Sequence, residues 1–546
     1  MVTRVMASAG AAKLAGAAAA AGEGATQAAG KVARTVQRNV KRAVAGTLGL
    51  SGERMTKVDT AWLRMDCDAN LMMIIGVWQL EPGVKYAAVC ERIENTLLRY
   101  DRFRQRVLED AGGATWVEDR NFDLHNHVVL EKLPKVGRGH HQEALQDRVA
   151  ELATERLDPK RPLWQIHLIE DYIGPDGVRG SAMIVRIHHC IADGIALISV
   201  TMSLVDGGVA PPERVATSAD SKSTTHSAED WIADTLLRPF TDISVKALGA
   251  VGDGAARSLG LLGDPERVVG GLEKGLQKGV AGSIDMAKVL YQLASDSAAL
   301  ALMPDDSKTR LKGKPGGKKK VAWCQPIPLE DVKAVGKALN CSINDVLLSC
   351  VAGALGEYLK SHGDDVTGQE IRAMVPVNLR PVDADGSQAQ KLGNRFGLAP
   401  LVLPIGLENP VERVYEVRKR MRALKGSYQP LLAFSLLAVA GMLIKPAQDM
   451  LLSLFARKTT AVMTNVPGPR DKLKFCGATL EQSMFWVPQS GDVGLGVSIL
   501  SYGGGVQFGV ITDSLLCPEP QQIIDEFLPE FARLSIVTLM LPWGDD

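Results

Sequence analysis

The spacing of apolar residues changes repeatedly between residues 58 and 205, and each change predicts a switch between helix and strand. The apolar run at 182–187 follows the turn-forming Gly174-Pro-Asp-Gly177, which is typical of the second strand of a β-hairpin. Helical spacing then runs from residue 195 to residue 205. Further helical patterns begin within 88–111 and extend over 142–156. The first half of the chain is therefore predicted to mix helices with strands.

The C-terminal part repeats this mixed order of elements. Helices are predicted at 343–359 and 410–425, and strands at 371–379, 459–465, 493–500 and 506–512, the last two joined across Tyr502-Gly-Gly-Gly505. Because both halves show the same order, we expect an α/β (mixed α+β) protein of two domains. The apolar run Leu431–Ile444 is too short for a membrane span of about 20 residues, so it predicts either a buried helix or a helix at a lipid interface.

Length and local composition divide the chain into four predicted segments. At 546 residues the chain exceeds the roughly 250–300 residues at which single cores stop growing. The segments are an Ala/Gly-rich basic extension at 1–55, a first domain at 56–206, a crossover linker at 207–320 and a second domain at 321–546. The linker is rich in Gly, Ser and Ala, with helical patches at 228–238 and 266–300.

Charge is balanced overall but unevenly placed. The formal net charge is zero, yet residues 1–50 carry seven Lys or Arg and one acid. This extension fits an interfacial helix on anionic lipid, a disordered segment or a targeting peptide. Zero net charge gives no indication of nucleic acid as a partner. The eight cysteines lack the spacing of a disulfide framework, which is typical of a protein in the reducing cytoplasm.

The predicted hairpin strand ends in an HHxxxDG arrangement, His188-His189-Cys-Ile-Ala-Asp193-Gly194. Consecutive side chains on extended backbone point to opposite faces, so the two histidines cannot both enter one pocket. A neutral imidazole has a pKa near working pH and can take a proton from an alcohol, as acyl transfer without a covalent enzyme intermediate requires. Asp193, beside the turn residue Gly194, can cap the following helix, orient the loop through an arginine or hold an imidazole in one tautomer.

Other chemistries for this segment are weaker. The second histidine pair, at 140–141, has no DG at the same distance and is typical of the exposed start of a charged helix. A metal site made by His188, His189 and Asp193 is disfavoured because adjacent ligands diverge and the sequence contains no HExxH or CxxC. Cys190 lies in an apolar turn, where a cysteine is usually a small hydrophobe and not a nucleophile.

HHxxxDG is the signature of the coenzyme A-dependent acyltransferase superfamily, and the chain resembles its bacterial wax ester synthase/diacylglycerol acyltransferase branch over roughly residues 55–540. Beside HHxxxDG the resemblance is carried, in order, by Val58-Asp-Thr-Ala-Trp62-Leu, Pro162-Leu-Trp164, Asn344-Asp345, Val375-Pro-Val-Asn-Leu-Arg380, Leu392-Gly-Asn-Arg-Phe-Gly397 and Thr464-Asn-Val-Pro-Gly-Pro469. It implies two chloramphenicol-acetyltransferase-like domains with a tunnel and the active site at their interface.

The resemblance also implies roles and substrates. An acyl-CoA thioester and a diacylglycerol or long-chain fatty alcohol are expected to meet at His189, the general base, with His188 and Asp193 in support. No cofactor is implied, since acyl-CoA is a substrate. The enzyme is expected in the cytoplasm, in peripheral contact with a membrane or lipid-inclusion surface, and its oligomeric state is left unspecified.

Two of the matching segments keep a structural interpretation beside the functional one. Asn344 is a candidate oxyanion donor, yet Ser342-Ile-Asn-Asp345 also has the pattern of a capping box that opens helix 343–359. Asp345 is then a helix-end residue near the site. Trp164 alternates with Ile166 along a predicted strand, which favours a core aromatic over a contact to the acyl chain.

A basic cluster closes the linker. Residues 308–320 hold seven Lys or Arg and no acid. The cluster fits a solvated loop, a contact with CoA phosphates or a contact with lipid headgroups. Lys318, Lys319 and Lys320 are the candidates for substrate contact.

Two other functions stay open at this point. The chain could use another acceptor, such as an amine or a polyketide alcohol, as other HHxxxDG acyltransferases and condensation enzymes do. It could also be a non-catalytic lipid-droplet protein that keeps the fold. The intact His188, His189, Asp193 and Gly194 disfavour the non-catalytic alternative.

Overall fold

The predicted hairpin around Gly174–Gly177 forms part of a large β-sheet. The computed structural model describes residues 52–110, 113–134, 141–212, 303–379, 392–425, 427, 429–441 and 445–540. The chain from Arg54 onward packs as one unit. Its strands, with the short one that precedes it, are β1 (Gly52–Arg54), β2 (Met73–Glu81), β3 (Gln105–Asp110), β4 (Gly113–Glu118), β5 (Val128–Glu131), β6 (Trp164–Ile173), β7 (Arg179–His188), β8 (Lys319–Trp323), β9 (Ile327–Pro328), β10 (Ile371–Asn378), β11 (Phe396–Leu403), β12 (Ala461–Pro467), β13 (Lys474–Phe475), β14 (Ala478–Trp486), β15 (Leu495–Tyr502) and β16 (Gly505–Asp513).

Helices alternate with these strands along the described residues. They are α1 (Lys57–Arg64), α2 (Tyr86–Asn95), α3 (His141–Leu152), α4 (Gly194–Leu204), α5 (Leu329–Ala338), α6 (Ile343–Ser361), α7 (Pro410–Lys425), α8 (Gln429–Ala440), α9 (Lys445–Arg457) and α10 (Pro520–Leu539). The architecture is mixed α/β, as the sequence pattern predicts.

The first sheet carries the HHxxxDG segment at the end of an interior strand. Its strand order is β13-β14-β2-β7-β6-β5. β7 pairs antiparallel with β6, where Ile187 lies opposite Trp164, and antiparallel with β2, where His188 lies opposite Met73. Because strands flank β7 on both sides, the backbone at the histidine pair is held on two edges.

The second sheet belongs to the C-terminal half. Its order is β11-β10-β12-β15-β16-β8, and β9 also pairs with β16. β10, β12 and β15 run parallel to their neighbours in that group, while the outer pairs are antiparallel. Helix α6 packs against α10 and α7, and its residues from Asp345 to Gly356 are all buried. This layer of helices covers the sheet and forms the core of the C-terminal half.

The two predicted domains share one of these sheets. β13 and β14 come from the C-terminal half but complete the first sheet, with Thr479 of β14 opposite Glu81 of β2. Trp486 of β14 packs beside Trp323 of β8, with ring centroids 5.9 Å apart. The halves are therefore joined through the sheet that carries the histidines.

Most predicted elements are confirmed. The hairpin, the helices predicted at 343–359 and 410–425, and the antiparallel pair predicted at 493–500 and 506–512 are all present. The pattern in 88–111 is helical only at its start, because α2 ends at Asn95 and β3 begins at Gln105. Between them Leu97, Tyr100 and Phe103 are buried every third residue, the period of a 3₁₀-helix. The patches predicted at 228–238 and 266–300 lie outside the described residues.

Helix α8 (Gln429–Ala440) contains most of the predicted apolar run Leu431–Ile444, and residues 442–444 lie outside the described residues. α8 packs against α1 and β11, and Phe434 is buried. A Cβ at Gly397 of β11 would overlap the carbonyl oxygen of Pro430, so helix and strand approach closely there. These contacts favour the buried-helix alternative.

Across the described ranges, no single helix is both long and apolar enough to cross a membrane. One pair of consecutive helices, α5 and α6, is long and apolar enough when taken together, but the two helices are bent by 98° relative to each other.

A buried ion pair fixes α7 against the helical layer. Arg413 of α7 pairs with Glu530 of α10, and the two side chains are 4% and 2% exposed. The same guanidinium donates to the carbonyl oxygens of Ser349 and Leu407. Removal of one partner leaves a buried charge without compensation.

We expect Glu530→Gln to lower the free energy of unfolding by about 3–5 kcal/mol, because the guanidinium of Arg413 stays buried without its counter-charge. Chemical denaturation monitored by circular dichroism measures this. Lys333→Gln is the control, since Lys333 pairs with Glu330 on the surface and its loss should cost under about 0.5 kcal/mol. Equal denaturation midpoints for the two variants would contradict the assigned role of the buried pair.

Candidate active site

The two histidines leave the end of β7 on fixed backbone. The N–H of His188 donates to Leu163 O at 3.0 Å, and the N–H of His189 donates to Met72 O at 2.7 Å. Both side chains are buried, at 5% and 2% exposed. The rings have different neighbours, as predicted for consecutive residues on extended backbone.

His189 lies in an aromatic setting. Its ring stacks on Trp62 of α1, with centroids 4.3 Å apart and planes 10° apart, and Phe396 lies 5.4 Å away. The side-chain amide of Asn394 donates to the carbonyl oxygen of His189 at 2.7 Å. The same amide nitrogen lies 2.7 Å from Oδ1 of Asp59. Asn394 therefore links α1, the end of β7 and the segment before β11.

Burial sets the protonation of this group of residues. It lowers the pKa of His189 to about 4, an effect only partly offset by the residue's own carbonyl and by the charge of Asp193. Burial also raises the pKa of Asp59 to about 6, against the hydrogen bonds from Asn394 and Thr56. At neutral pH the imidazole of His189 is therefore neutral and able to accept a proton.

His188 faces a carboxylate instead. Its Nε2 lies 3.4 Å from Oδ1 of Asp66, and its Nδ1 accepts from the N–H of Cys190 at 3.2 Å. Asp66 also accepts from the N–H of Met72 at 2.6 Å. Burial would raise the pKa of Asp66, but the hydrogen bond and charge of His188 bring it below its ordinary value. His188 thus links the turn after β7 to the segment that precedes β2.

Asp193 connects the turn to the C-terminal half. Its Oδ1 caps α4 by accepting from the N–H of Ala196 at 2.9 Å. Its Oδ2 accepts from the backbone N–H of Arg395 at 2.9 Å. The capping role considered from sequence is therefore present, together with a backbone link. Gly194 begins α4, and a Cβ built there would meet no atom within 4 Å, so open space lies over this residue.

Asn344 and Asp345, at the start of α6, make different hydrogen bonds. Asp345 and Ser342 form the predicted capping box, with Asp345 Oδ2 accepting from Ser342 N at 3.0 Å. Asn344 does not take part in it. Its Oδ1 accepts from the amide of Asn465 at 2.6 Å. Asn465 belongs to the Thr464–Pro469 segment, so two of the family-like segments meet here.

Trp164 is a core residue. Its side chain is 1% exposed, its indole N–H donates to Phe103 O at 2.8 Å, and it stacks on His127 at 4.6 Å between ring centroids. These contacts favour the core interpretation over a contact to an acyl chain.

The lysines of the basic cluster at 308–320 have different surroundings and contact different residues. Lys319 lies on β8, is 8% exposed, and donates to Asn70 Oδ1 at 2.5 Å and Gln489 Oε1 at 3.1 Å. Burial lowers its pKa to about 8. Lys320 pairs with Asp147 at 3.1 Å, and Lys318 is exposed. These partners favour a structural role for Lys319 and Lys320, and substrate contact by the cluster stays a prediction.

An apolar cavity of about 690 Å³ opens beside the end of β10. Its lining includes Asn344, Val375, Leu379, Met421, Pro430 and Asn465. The N–H of Leu379 bonds to the carbonyl of Arg395, the residue that follows Asn394. The cavity therefore borders the strand segment that holds His189 in place.

Models of one protein family match both halves of the chain. The family model for the wax ester synthase/diacylglycerol acyltransferase catalytic domain matches residues 55–347, and the model for the C-terminal domain of the same family matches residues 392–535. The chain belongs to the wax ester synthase/diacylglycerol acyltransferase family, and it is an acyltransferase.

Individual relatives cover most of the chain. The probable diacylglycerol O-acyltransferase tgs1 of Mycobacterium tuberculosis is 27% identical over 496 residues, 89% of this chain and 96% of that protein. A putative diacylglycerol O-acyltransferase of Mycobacterium bovis is 30% identical over 383 residues, 69% of this chain and 68% of that protein.

Solved structures agree in fold. The wax ester synthase/diacylglycerol acyltransferase of Marinobacter aquaeolei matches with a TM-score of 0.59 and 20% identity, over 89% of this chain and 99% of that one. The first condensation domain of the CDA synthetase matches with a TM-score of 0.51 and 15% identity, over 89% and 96% of the two chains. The predicted fold class is confirmed by these neighbours.

Several residues at the site had no role assigned from sequence. Four of them lie within segments that carry the family resemblance, namely Asp59, Trp62, Asn394 and Phe396. The sequence therefore drew attention to these segments but did not predict the contacts of these side chains. Asp66 lies outside those segments. A buried carboxylate beside a histidine that is distant in sequence leaves no local pattern.

The opposite pKa shifts of His189 and Asp59 predict opposite effects on stability. Asp59 has a raised pKa, so its contribution is complete below its unfolded pKa of about 3.9 and is lost as pH rises through about 6. His189 has a lowered pKa, so its contribution is present above about 6.5 and is lost as pH falls toward about 4. Relative to the parent, His189→Gln should lose stability as pH rises from 4 to 6, and Asp59→Asn should gain it.

Each change should be on the order of 3 kcal/mol, from shifts of about two pKa units. Denaturation midpoints between pH 4 and pH 7 test both signs. His125→Ala, an exposed histidine outside the site, serves as the control and should follow the parent curve. Parallel curves for all four proteins would show that neither group titrates as described.

Proposed function

We propose that this acyltransferase moves a long-chain acyl group from acyl-CoA to the free hydroxyl of a diacylglycerol, with His189 as the general base. The observation that carries the proposal is the buried, neutral imidazole of His189 at the end of β7, stacked on Trp62 and fixed through its carbonyl by Asn394. A base of this kind needs no deprotonation before it acts at neutral pH.

The reaction balances with this single base. His189 takes the hydroxyl proton while the alcohol oxygen attacks the thioester carbonyl, which gives a tetrahedral oxyanion. The C–S bond then breaks, and the protonated imidazole returns its proton to the departing CoA thiolate. The ester and free CoA are the products. His188, held by Asp66, and Asp193, which caps α4, are positioning residues in this scheme.

The apolar cavity suits a long acyl chain. Its lining is mainly aliphatic and proline carbons, with Asn344 and Asn465 as a polar pair. Because the oxygen of Asn344 accepts from Asn465, its own amide N–H groups can donate to a substrate carbonyl. We assign Asn344 as the donor that orients the thioester and supports the oxyanion.

The acceptor is assigned from the relatives. The mycobacterial proteins above carry the name diacylglycerol O-acyltransferase, which supports diacylglycerol for this chain. The family name also includes wax ester synthase, so a long-chain fatty alcohol is the second candidate acceptor. Both acceptors present a primary or secondary hydroxyl to the same base.

Contact with lipid and a cytoplasmic location are part of the proposal. Diacylglycerol resides in membranes, so the enzyme has to meet a lipid surface. At the end of α10, Ile536, Leu539 and Met540 are 58%, 68% and 79% exposed. Large apolar side chains exposed together are typical of an interaction surface. We assign this end of α10 as one contact with a membrane or lipid inclusion.

Purified protein incubated with palmitoyl-CoA should form triacylglycerol from dioleoylglycerol, or wax ester from hexadecanol, as detected by mass spectrometry. His189→Ala should lower kcat by about 10²–10⁴-fold, the usual contribution of a general base, with an unchanged circular dichroism spectrum. His125→Ala should retain parental turnover. Neither ester from the parent would refute the substrate assignment, and substantial turnover by His189→Ala would refute the base.

Leu539→Asp combined with Ile536→Asp should reduce flotation with phosphatidylcholine-coated triolein droplets, because each change places a charge on the proposed contact. Turnover of detergent-solubilised substrates should stay at the parental level. Leu130→Asp is the matched control, as Leu130 is 50% exposed elsewhere on the surface. Equal flotation of both variants and the parent would remove α10 from the lipid contact.

A further inference from the structure

A second pocket, of about 390 Å³, lies at the elbow between α5 and α6. The two helices are bent by 98° at this point. The elbow contributes Lys337, Cys341 and Ser342, and the last turns of α7 contribute Arg418, Arg422 and Lys425. The pocket is separate from the group around His189, and the mechanism above does not use it.

Cations dominate the lining of this elbow pocket. Four basic side chains, Lys337, Arg418, Arg422 and Lys425, face one carboxylate, Asp345. That carboxylate is already engaged as the capping-box acceptor for Ser342 N. Among the described residues that line the pocket, four cations therefore stand against one carboxylate, which leaves an excess of positive charge.

The basic residues of α7 differ by face. Away from the pocket, Lys419 pairs with Glu416 at 3.2 Å, and Arg420 pairs with Glu416 at 2.8 Å and Glu370 at 2.5 Å. Facing the pocket, Arg418, Arg422 and Lys425 follow helical spacing. Among the described residues, these three and Lys337 form no ion pair. One helix thus carries compensated cations on one side and uncompensated cations on the other.

The elbow pocket adjoins the apolar cavity. Met421 and Lys425 of α7 line both of them. The cavity extends from there past Asn344 to Leu379, whose N–H bonds to Arg395 beside Asn394. Cationic and apolar spaces therefore follow each other along one side of α7 and the start of α6, toward the segment that fixes His189.

We propose that the elbow pocket binds the phosphate groups of the acyl-CoA donor, with Arg418 and Arg422 as the principal contacts. This assignment rests on the proposed function, since it gives that reaction its donor site. Guanidinium groups bind phosphate oxygens in bidentate geometry. An apolar cavity next to a phosphate site matches a ligand with a polyanionic nucleotide at one end and an acyl chain at the other. The lysines at 318–320 fit less well, since Lys319 and Lys320 already have intramolecular partners.

The test compares two acyl donors. For the double variant Arg418→Gln/Arg422→Gln, kcat/KM for palmitoyl-CoA should fall by roughly ten-fold or more relative to kcat/KM for palmitoyl-pantetheine, which lacks the nucleotide phosphates. The loss should appear in KM for palmitoyl-CoA. Adenosine 3′,5′-bisphosphate should bind the parent in calorimetry and should bind the double variant roughly ten-fold more weakly or worse.

Lys419→Gln is the matched control. It removes one charge from the same helix outside the pocket, where the lysine is paired with Glu416 and exposed. It should retain the parental preference for palmitoyl-CoA and the parental affinity for the bisphosphate. Arg422→Gln alone, at an exposed position, carries the test if the double variant does not fold.

A lipid headgroup presents the same phosphate chemistry, and vesicles separate the two sources. If the double variant loses binding to dioleoylphosphatidylglycerol vesicles while its ratio of donor preference stays parental, the pocket serves a membrane and the proposal is overturned. An unchanged donor ratio with unchanged bisphosphate affinity overturns it as well. Failure of the proposed function is distinct, because the parent would then form no ester although bisphosphate binding could still be measured.

Discussion

The side chain of Asn394 makes the contacts on which the arrangement around His189 depends. Its amide reaches the carbonyl of His189 at the end of β7 and the carboxylate of Asp59 in α1, so three segments distant in sequence meet at one buried group. Asn394 is only 3% exposed, and buried polar groups are costly unless they are bonded, so these two hydrogen bonds of its amide nitrogen are expensive to lose. α1 in turn carries Trp62, on which the imidazole stacks. A displaced Asn394 would therefore affect the orientation of the ring as well as the backbone.

The two histidines differ because their surroundings differ, although they are adjacent in sequence. Asp66 lies beside the ring of His188, with its Oδ1 3.4 Å from Nε2. Trp62 and Phe396 surround the ring of His189, where burial favours the neutral form. The carboxylate of the HHxxxDG segment itself is engaged by backbone N–H groups at α4 and at Arg395. In the proposed mechanism, the environment of each ring, and not the acid of the motif, therefore determines which histidine acts as the base.

The sequence predicted those structural features that depend on residues close together along the chain. The hairpin before the histidines, the capping box of Ser342 and Asp345, and α7 all follow from turn residues or helical spacing within a few positions. Contacts between distant positions were out of reach. Asp59 and Asn394 are 335 residues apart, and the pairing of β14 with β2 joins opposite halves of the chain. The pattern of a strand identifies its buried face but not its neighbour, and a run of lysines does not reveal that Lys319 is enclosed by Asn70 and Gln489.

In the proposed reaction, the distribution of charge sets the direction in which the thioester substrate lies. Phosphate groups cannot be moved into an apolar cavity without a large desolvation cost, so they must stay where cations or water surround them. The imidazole of His189 is neutral and its ring contacts are aromatic, so its immediate surroundings are unfavourable for phosphate groups. Uncompensated arginines and lysines stand instead at the elbow of α5 and α6, beyond Met421. In the proposed complex, an acyl-CoA held at the elbow has its apolar end directed along the cavity toward β10, so the distribution of charge orients the donor.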